Sequence, residues 1–248
     1  MPAPTPLISI IVVCRNPGAP LRDALAGIWH QTLAAQTELI VIDGASTDGT
    51  AAWLTEHTSR IAHLCTEPDS GVYDAMNTGI AAARGEWIYF IGADDRLAAP
   101  NVLEKIAVLL RATSHDIVGA QARYSDGRLY ATRPPLHPIR RNPLHHQSTF
   151  YRRSRITAHG KFDAVLRVAA DYDFNLRLIG AGAVVDRSDV LVAHCQAGGL
   201  SDAGNWVSYG EEITVRHRHF PLWRSLPWDF VSCVRFVRKK LRRTLRSA

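Results

Sequence analysis

No two cysteines in this 248-residue chain have a metal-ligand spacing. Cys14, Cys65, Cys195 and Cys233 are scattered without a CxxC, which excludes a disulfide scaffold. Cys14 and Cys65 fall in apolar runs and are expected to be buried thiols in a reducing compartment. Neither GxxxxGK[ST] nor GxGxxG occurs, so the phosphate cradle of P-loop enzymes and the dinucleotide fingerprint are both missing. Met1 to Pro6 carry no basic residue, and the apolar run Leu7–Val13 is too short for a signal peptide or a spanning helix. The expected location is therefore the cytoplasm. Internal repeats and low-complexity segments are absent too. With 46% hydrophobic and 21% charged residues, 17 Gly and 13 Pro, the composition excludes collagenous and disordered chains and leaves a soluble protein with a sizeable core.

What is present begins with alternation. Short apolar, β-branched runs at Leu7–Val13, Glu38–Asp43, Ile61–Thr66, Glu86–Ile91 and Ile117–Ala122 read as strands. Helical patterns lie between them, at Leu21–Leu33, Ala51–His57, Val72–Ala83 and Val102–Leu110. Continuous rather than alternating apolar strands point to a sheet covered on both faces. The order predicts an α/β fold, a mainly parallel central sheet with helices on both faces. Further on, the Pro-rich basic stretch Arg133–Pro143 reads as an exposed, mobile loop. After it a strand is expected at Ser148–Arg152, a helix at Asp171–Ile179, and two strands at Ala183–Arg187 and Val190–Cys195.

In an open parallel sheet, ligands bind at the carboxyl ends of the strands. Four consecutive strands here end in polar residues: Cys14-Arg15-Asn16, Asp43 to Gly49, Glu67 to Gly71, and Gly92-Ala93-Asp94-Asp95. Adjacent carboxylates at Asp94 and Asp95 repel each other and call for a compensating charge. A hard cation, Mg²⁺ or Mn²⁺, takes one or two carboxylates and completes its shell with water and phosphate, which suits a diphosphate-bearing substrate. Taken alone, an Asp-Asp turn also serves as a helix cap; its position on the rim favours the metal. Asp43 is read as a contact to a base or ribose, and Asp48, ahead of Gly49 and Thr50, as the cap of the next helix.

Taken together, SIIVVCRN (Ser9 to Asn16), ELIVIDGASTDGT (Glu38 to Thr50), EPDSGVYDAMNTG (Glu67 to Gly79), GEWIYFIGADD (Gly85 to Asp95), HQSTFYRR (His146 to Arg153) and DYDFNLRL (Asp171 to Leu178) resemble the inverting family 2 glycosyltransferases of GT-A fold, in order and spacing, from about residue 7 to 202. The resemblance implies transfer of a sugar from a nucleoside diphosphate sugar to an acceptor hydroxyl, with inversion and with Mg²⁺ or Mn²⁺ as cofactor. It further implies Asp43 and Asp69 in the nucleotide pocket, Asp94 on the ribose or assisting the metal, Asp95 holding the metal on the diphosphate, and Asp171 as general base. Displacement at the anomeric carbon needs one base for the acceptor proton and one cation for the leaving diphosphate. The chain departs from the family pattern at Gly44, Gly92 and Ala170, where acidic residues are common. Asp173 is the alternative base, and Asp171 is preferred to it.

Smaller expectations concern basic residues. Arg152 and Arg153 read equally well as phosphate or acceptor contacts and as solvated charges. His145 and His146 read as structural histidines before a strand. His194, ahead of the lid-like Gly198-Gly199-Leu200-Ser201, is a candidate metal or phosphate ligand. Of the net charge of +6, residues 216–248 carry +9 and residues 1–215 carry −3. Phe230, Val234, Val237, Leu241 and Leu245 form one stripe among Arg235, Arg238, Lys239, Arg242, Arg243 and Arg246, behind Trp223 and Trp228. That pattern predicts a basic amphipathic helix on an anionic membrane surface, hence a peripheral protein with a lipid-linked or glycan acceptor in cell-envelope polysaccharide assembly. The alternative is a terminal helix packing its stripe on the domain. No nucleic-acid motif is present. The expected layout is a domain over 1–215, with a donor half at 7–122 and an acceptor half at 123–215, followed by a tail at 216–248. A silent scaffold and a nucleotidyltransferase are the competing classes.

Overall fold

Burial of the early apolar runs on both sides is what shapes the molecule. A computed structural model of the chain describes residues 5–132, 136–199 and 205–247. Its strands are β1 (Ile8–Cys14), β2 (Thr37–Asp43), β3 (His63–Thr66), β4 (Trp87–Gly92), β5 (Arg96–Leu97), β6 (Ile117–Tyr124), β7 (Leu129–Ala131), β8 (Thr149–Arg152) and β9 (Val185–Cys195). Its helices are α1 (Ala19–Trp29), α2 (Thr50–Glu56), α3 (Val72–Ala82), α4 (Val102–Ala112), α5 (Arg153–His159), α6 (Ala170–Gly180), α7 (Trp206–His219) and α8 (Leu222–Ser247). One sheet runs in the order β3-β2-β1-β4-β8-β6-β9-β5, with β7 beside β6. β3, β2, β1 and β4 are parallel, as are β6 and β9, while β8 runs against both its neighbours.

Successive strand residues face opposite sides, and the core divides accordingly. Ile8, Ile10 and Val12 pack with Leu21, Leu25 and Ile28 of α1 and with Leu103 and Ile106 of α4. Ile11, Ile40 and Phe90 face Met76 and Ile80 of α3 and Phe174 of α6 on the other side. Each fully buried Ile or Leu in these layers contributes about 1.5–3 kcal/mol. Helix α3 lies so close to β1 that a Cβ at Gly79 would stand 2.5 Å from Ile11 Cγ2.

Glu38 ties the start of the parallel sheet together. Its buried carboxylate accepts from Ser9 Oγ (2.6 Å), Arg84 N (2.6 Å), Arg84 Nε (3.0 Å) and Gly85 N (3.0 Å). Burial alone would raise this carboxyl, but the hydrogen bonds outweigh it and hold Glu38 below its ordinary value. A depressed carboxylate contributes stability that is present above its unfolded value and lost as pH falls through its folded one. Glu38→Gln should therefore lower Tm at pH 7 and flatten the dependence of stability on pH below about 4.5; a pH profile of Tm parallel to that of the wild type would contradict this role.

Several expectations change. The two strands expected at Ala183–Arg187 and Val190–Cys195 are one strand, β9, kept continuous past an irregular register opposite Gly119 to Ala122. Helices α5 and α7 and the short strands β5 and β7 had no counterpart in the sequence reading. Of the Pro-rich stretch, residues 133–135 lie outside the described residues. Its remainder is pinned rather than free: Tyr172 OH donates to Pro138 O, Tyr130 OH to Pro143 O (2.7 Å), and Asn175 Nδ2 to Asn142 Oδ1 (2.9 Å). The boundary drawn at 215/216 falls inside α7, where Arg216 is fully buried, and the C-terminal helix starts at Leu222 instead of Phe230. All four cysteines are free thiols, Cys14 and Cys195 buried and the other two half-buried.

Candidate active site

The loops after β1 and β2 are fastened to each other. Gly44 N donates to Cys14 O (2.9 Å), Asn16 N to Ser46 Oγ (2.7 Å), Thr47 N to Asn16 Oδ1 (2.7 Å), and Gly18 N to Asp48 Oδ2 (3.0 Å). Asp48 also accepts from Thr50 N at the start of α2 (3.1 Å), from one position ahead of the N-cap, which is Gly49 rather than Asp48. Asn16 and Ala45 have φ of 50° and 56°, a left-handed conformation held by these bonds. Asp43 is fully buried and accepts from Ser46 N (3.0 Å), from the Ser46 hydroxyl and from Cys14 Sγ (3.5 Å). It organises its own loop. Asp69 accepts from Gly71 N (3.0 Å), and its carboxylate fills the space a side chain at Gly44 would need. The glycine in place of a second acidic residue is thus what lets β3's loop close on β2's.

Beside these loops opens a cavity of about 740 Å³. It is lined by the end of β1 (Val13, Cys14, Arg15) and the turn Gly92 to Asp95, and by Asn142, His145, His146 and Gln147, the start of α6, and Ser208, Glu212 and Arg235 of α7 and α8. Asp43, Asp69 and His194 are not among its lining residues.

The two adjacent aspartates are in different environments. Asp94 is exposed on the cavity wall. Asp95 is 1% exposed and accepts from Gln147 Nε2, from Gln196 N (2.9 Å) and from Gly92 N (3.1 Å). Burial pushes the Asp95 carboxyl above the ordinary range, and the charge on Asp94 adds to the rise against those hydrogen bonds.

The two carboxylates of α6 separate in the same way. Asp171 lines the cavity, with its Oδ2 3.3 Å from His146 Nδ1 and its Oδ1 3.5 Å from the Tyr73 hydroxyl. The single Tyr73 proton goes to Val168 O (2.7 Å). Asp173 is 4% exposed and turned away, bonded to Arg177 Nε (3.0 Å) and His219 Nε2 (2.9 Å). Burial would raise Asp173, but those partners hold it below the ordinary value. Glu211 of α7 accepts from the backbone N–H of Arg167, Val168 and Ala169 at 2.8–2.9 Å and so fixes the entry to α6. His145, stacked on His146 at 5.3 Å, meets the Tyr124 hydroxyl; burial pulls it down to about 3, so its ring is neutral.

Strand direction explains which basic residues are present. β8 is antiparallel to β4, pairing Arg152 with Trp87, so its first residues, not its last, reach the rim where β4 ends. His146 and Gln147 therefore stand in the cavity wall. Arg152 and Arg153 lie at the opposite end of the sheet, Arg152 over Trp87 (4.4 Å) and paired with Glu86 (2.5 Å), Arg153 donating to Gly85 O (2.9 Å). They are structural, which settles against the phosphate reading. His194 is likewise displaced. Ala193 and Cys195 face the core on either side of it, leaving it exposed on the solvent side of β9 opposite Arg96. Of the lid-like segment, Leu200 and Ser201 lie outside the described residues. Gln147, Tyr73 and Glu211 went unremarked in the sequence, although Gln147 and Tyr73 sit within the motifs that carried the resemblance.

Comparison with known proteins agrees with this geometry. The sequence profile "Glycosyl transferase family 2" matches residues 9–172, the span that contains Asp43, Asp94, Asp95, His146 and Asp171. A PGL/p-HBAD biosynthesis glycosyltransferase of Mycobacterium tuberculosis is 33% identical over 208 residues, covering 79% of this chain and 80% of that one. A second glycosyltransferase of M. tuberculosis is 30% identical over 181 residues, 69% of this chain and 68% of that one. Among solved structures, S. aureus TarS 1–349 superposes with a TM-score of 0.70 at 18% identity, covering 86% of this chain, which spans 64% of that one. A mannosyltransferase from Pyrobaculum calidifontis, in complex with GDP-Man and Mn²⁺, has a TM-score of 0.62 at 20% identity over 94% of this chain and 66% of that one. A GT-A-like sheet, a rim of carboxylates at its carboxyl ends and a matching sequence over two thirds of its length make this chain a glycosyltransferase and a member of glycosyl transferase family 2.

Proposed function

We propose that the protein moves a sugar from a nucleoside diphosphate sugar to an acceptor hydroxyl with inversion at the anomeric carbon. The observation that carries this reading is that two carboxylates, Asp94 and Asp171, line one cavity while their neighbours Asp95 and Asp173 are tied up in buried hydrogen bonds. Asp171 takes the acceptor proton as the new bond forms. His146 stands beside one of its oxygens and orients it.

Among the described residues no group of three or more His, Cys, Asp or Glu side chains is placed to hold a metal ion. The exposed oxygens of Asp94 nevertheless fit Mg²⁺ or Mn²⁺, which keep several waters and share their shell with substrate phosphates. Asp94 would hold the ion, reversing the roles first assigned to it and Asp95, because Asp95 already has both oxygens occupied. When bound there, the cation stabilises the charge of the leaving diphosphate. Structures of related fold support the donor class: TarS in complex with UDP-GlcNAc, and the mannosyltransferase with GDP-Man and Mn²⁺. Asp43 and Asp69 shape the nucleotide side through their loops. The relatives' role in PGL/p-HBAD biosynthesis supports a lipid-linked or glycolipid acceptor. A peripheral position at the cytoplasmic face of a membrane goes with such an acceptor; no helix of the described residues is long and apolar enough to cross a membrane.

The test is thermal stabilisation by UDP, GDP, CDP and dTDP, each with and without Mn²⁺. A ligand at 100 times its Kd adds about 2.7 kcal/mol, or roughly 5–10 °C in a chain of this size. One nucleotide should give such a shift, and only with the metal. Release of pyrophosphate instead of nucleoside diphosphate in turnover, or no shift with any of the four, would overturn the reading.

A further inference from the structure

Helix α8 is built with its polar side inward. Ser225, Asp229 and Ser232 are buried against α7, where the fully buried Arg216 donates to Asp229 Oδ1 (3.1 Å) and Ser232 Oγ (2.6 Å), and His217 Nε2 lies 2.6 Å from Asp229 Oδ2. The apolar side faces outward: Leu222, Leu226, Phe230, Val234, Val237 and Leu241 recur at spacings of four, four, four, three and four, and are 38–71% exposed. Trp223 is 75% exposed beside them. A surface helix of a soluble domain normally turns this stripe to its core. Here it forms a ridge about 28 Å long at 1.5 Å per residue, longer than a soluble monomer ordinarily leaves bare. The alternative of a stripe packed on the domain is therefore excluded.

Charge identifies what covers the ridge. Between residues 222 and 242 the cations are Arg224, Arg235, Arg238, Lys239, Lys240 and Arg242, of which Arg235 pairs with Glu212 of α7, and the lone acid, Asp229, is consumed by Arg216. A second copy would set like charges against each other. An anionic bilayer takes both the stripe and its flanks. The helix is also part of the cavity: Arg235 lines it, and Arg140, from the segment leading into its wall, stands over Trp228 of α8 at 5.0 Å.

We infer that the outward face of α8 docks on an anionic lipid surface and that, because α8 is also a cavity wall, docking turns the cavity mouth toward the bilayer, so that the acceptor enters from the membrane. The entry of the acceptor rests on the proposed function; the docking does not.

The experiment uses the full-length protein, without donor or acceptor, in co-flotation with vesicles of phosphatidylcholine alone or with 30% phosphatidylglycerol. Binding is expected only to the anionic vesicles and is expected to weaken with salt. The variant L226S/F230S/V234S should bind at least tenfold more weakly at unchanged Tm, as should R238E/R242E. Variants that bind like the wild type would overturn the docking. So would a wild type that ignores anionic vesicles, or a dimer that L226S/F230S/V234S dissolves, which would assign the ridge to a second copy. Hydrogen exchange reads the orientation: anionic vesicles should protect residues 136–142 along with 222–242, and protection confined to 222–242 would overturn the placement of the mouth. If the vesicles bind and protect as expected but the nucleotide panel is silent, the proposed reaction fails and the docking stands.

Discussion

Asp171→Asn should lower glycosyl transfer by a factor of about 10²–10⁴, the usual contribution of a general base, with Tm and nucleotide affinity close to wild type. The amide keeps the shape of the carboxylate, yet it has no lone pair basic enough to take a proton. The paired experiment is Asp173→Asn. That carboxylate is buried against Arg177, His219 and Arg218 and clasps α6 to α7, so its loss should appear in stability. Removing one member of a buried charge cluster costs about 3–5 kcal/mol. Because Asp173 is held below its ordinary value, its contribution is present above the unfolded pKa and disappears as pH falls through the folded one. Product formation per folded molecule should therefore survive in Asp173→Asn and vanish in Asp171→Asn. The reverse pattern would move the base to Asp173.

A comparable separation is expected at the turn after β4. Asp94→Ala should fold normally and lose the metal-dependent part of nucleotide binding, by tenfold or more in titration calorimetry, because its carboxylate is the exposed one. Asp95→Ala should be unstable first. It leaves Gln147 Nε2, Gln196 N and Gly92 N without their acceptor. Unsatisfied buried donors cost about 1–3 kcal/mol each, and a total near 3 kcal/mol lowers Tm by roughly 6–12 °C at this chain length. An Asp95→Ala protein with wild-type Tm and no metal response, beside a silent Asp94→Ala, would return the ion to Asp95.

Much of the donor side was legible because it depends on local order. Apolar runs a strand long, each followed by a polar loop and a helical stripe, can hardly fold except as parallel strands with their loops on one rim. Asp43, Asp69, Asp94 and Asp95 were placed on that rim from chain order alone. What each of them does there was not legible. Asp43 and Asp95 are interior hydrogen-bond acceptors, Asp69 leans over Gly44, and Asp94 is exposed in the cavity, and those differences involve neighbours 25 to 101 residues away.

The acceptor side was less legible for a geometrical reason. A strand's direction is not written in its residues, and the antiparallel course of β8 exchanges its two ends, bringing His146 and Gln147 to the cavity and sending Arg152 and Arg153 to the far edge. The same limit applies to α7, whose polar residues Glu211, Arg216 and His219 have little helical amphipathicity, since the partners they bury are other polar groups.

By itself, then, the sequence determined the α/β sheet, its rim of carboxylates and the basic amphipathic C-terminal helix, because periodicity and strand-to-loop order are properties of the chain. Tertiary structure decided which carboxylates are exposed, which end of β8 meets the site and which way α8 faces. Those depend on partners distant in sequence. For α8 the deciding partner is Arg216, whose buried charge draws Asp229 and Ser232 inward and leaves the apolar stripe outside.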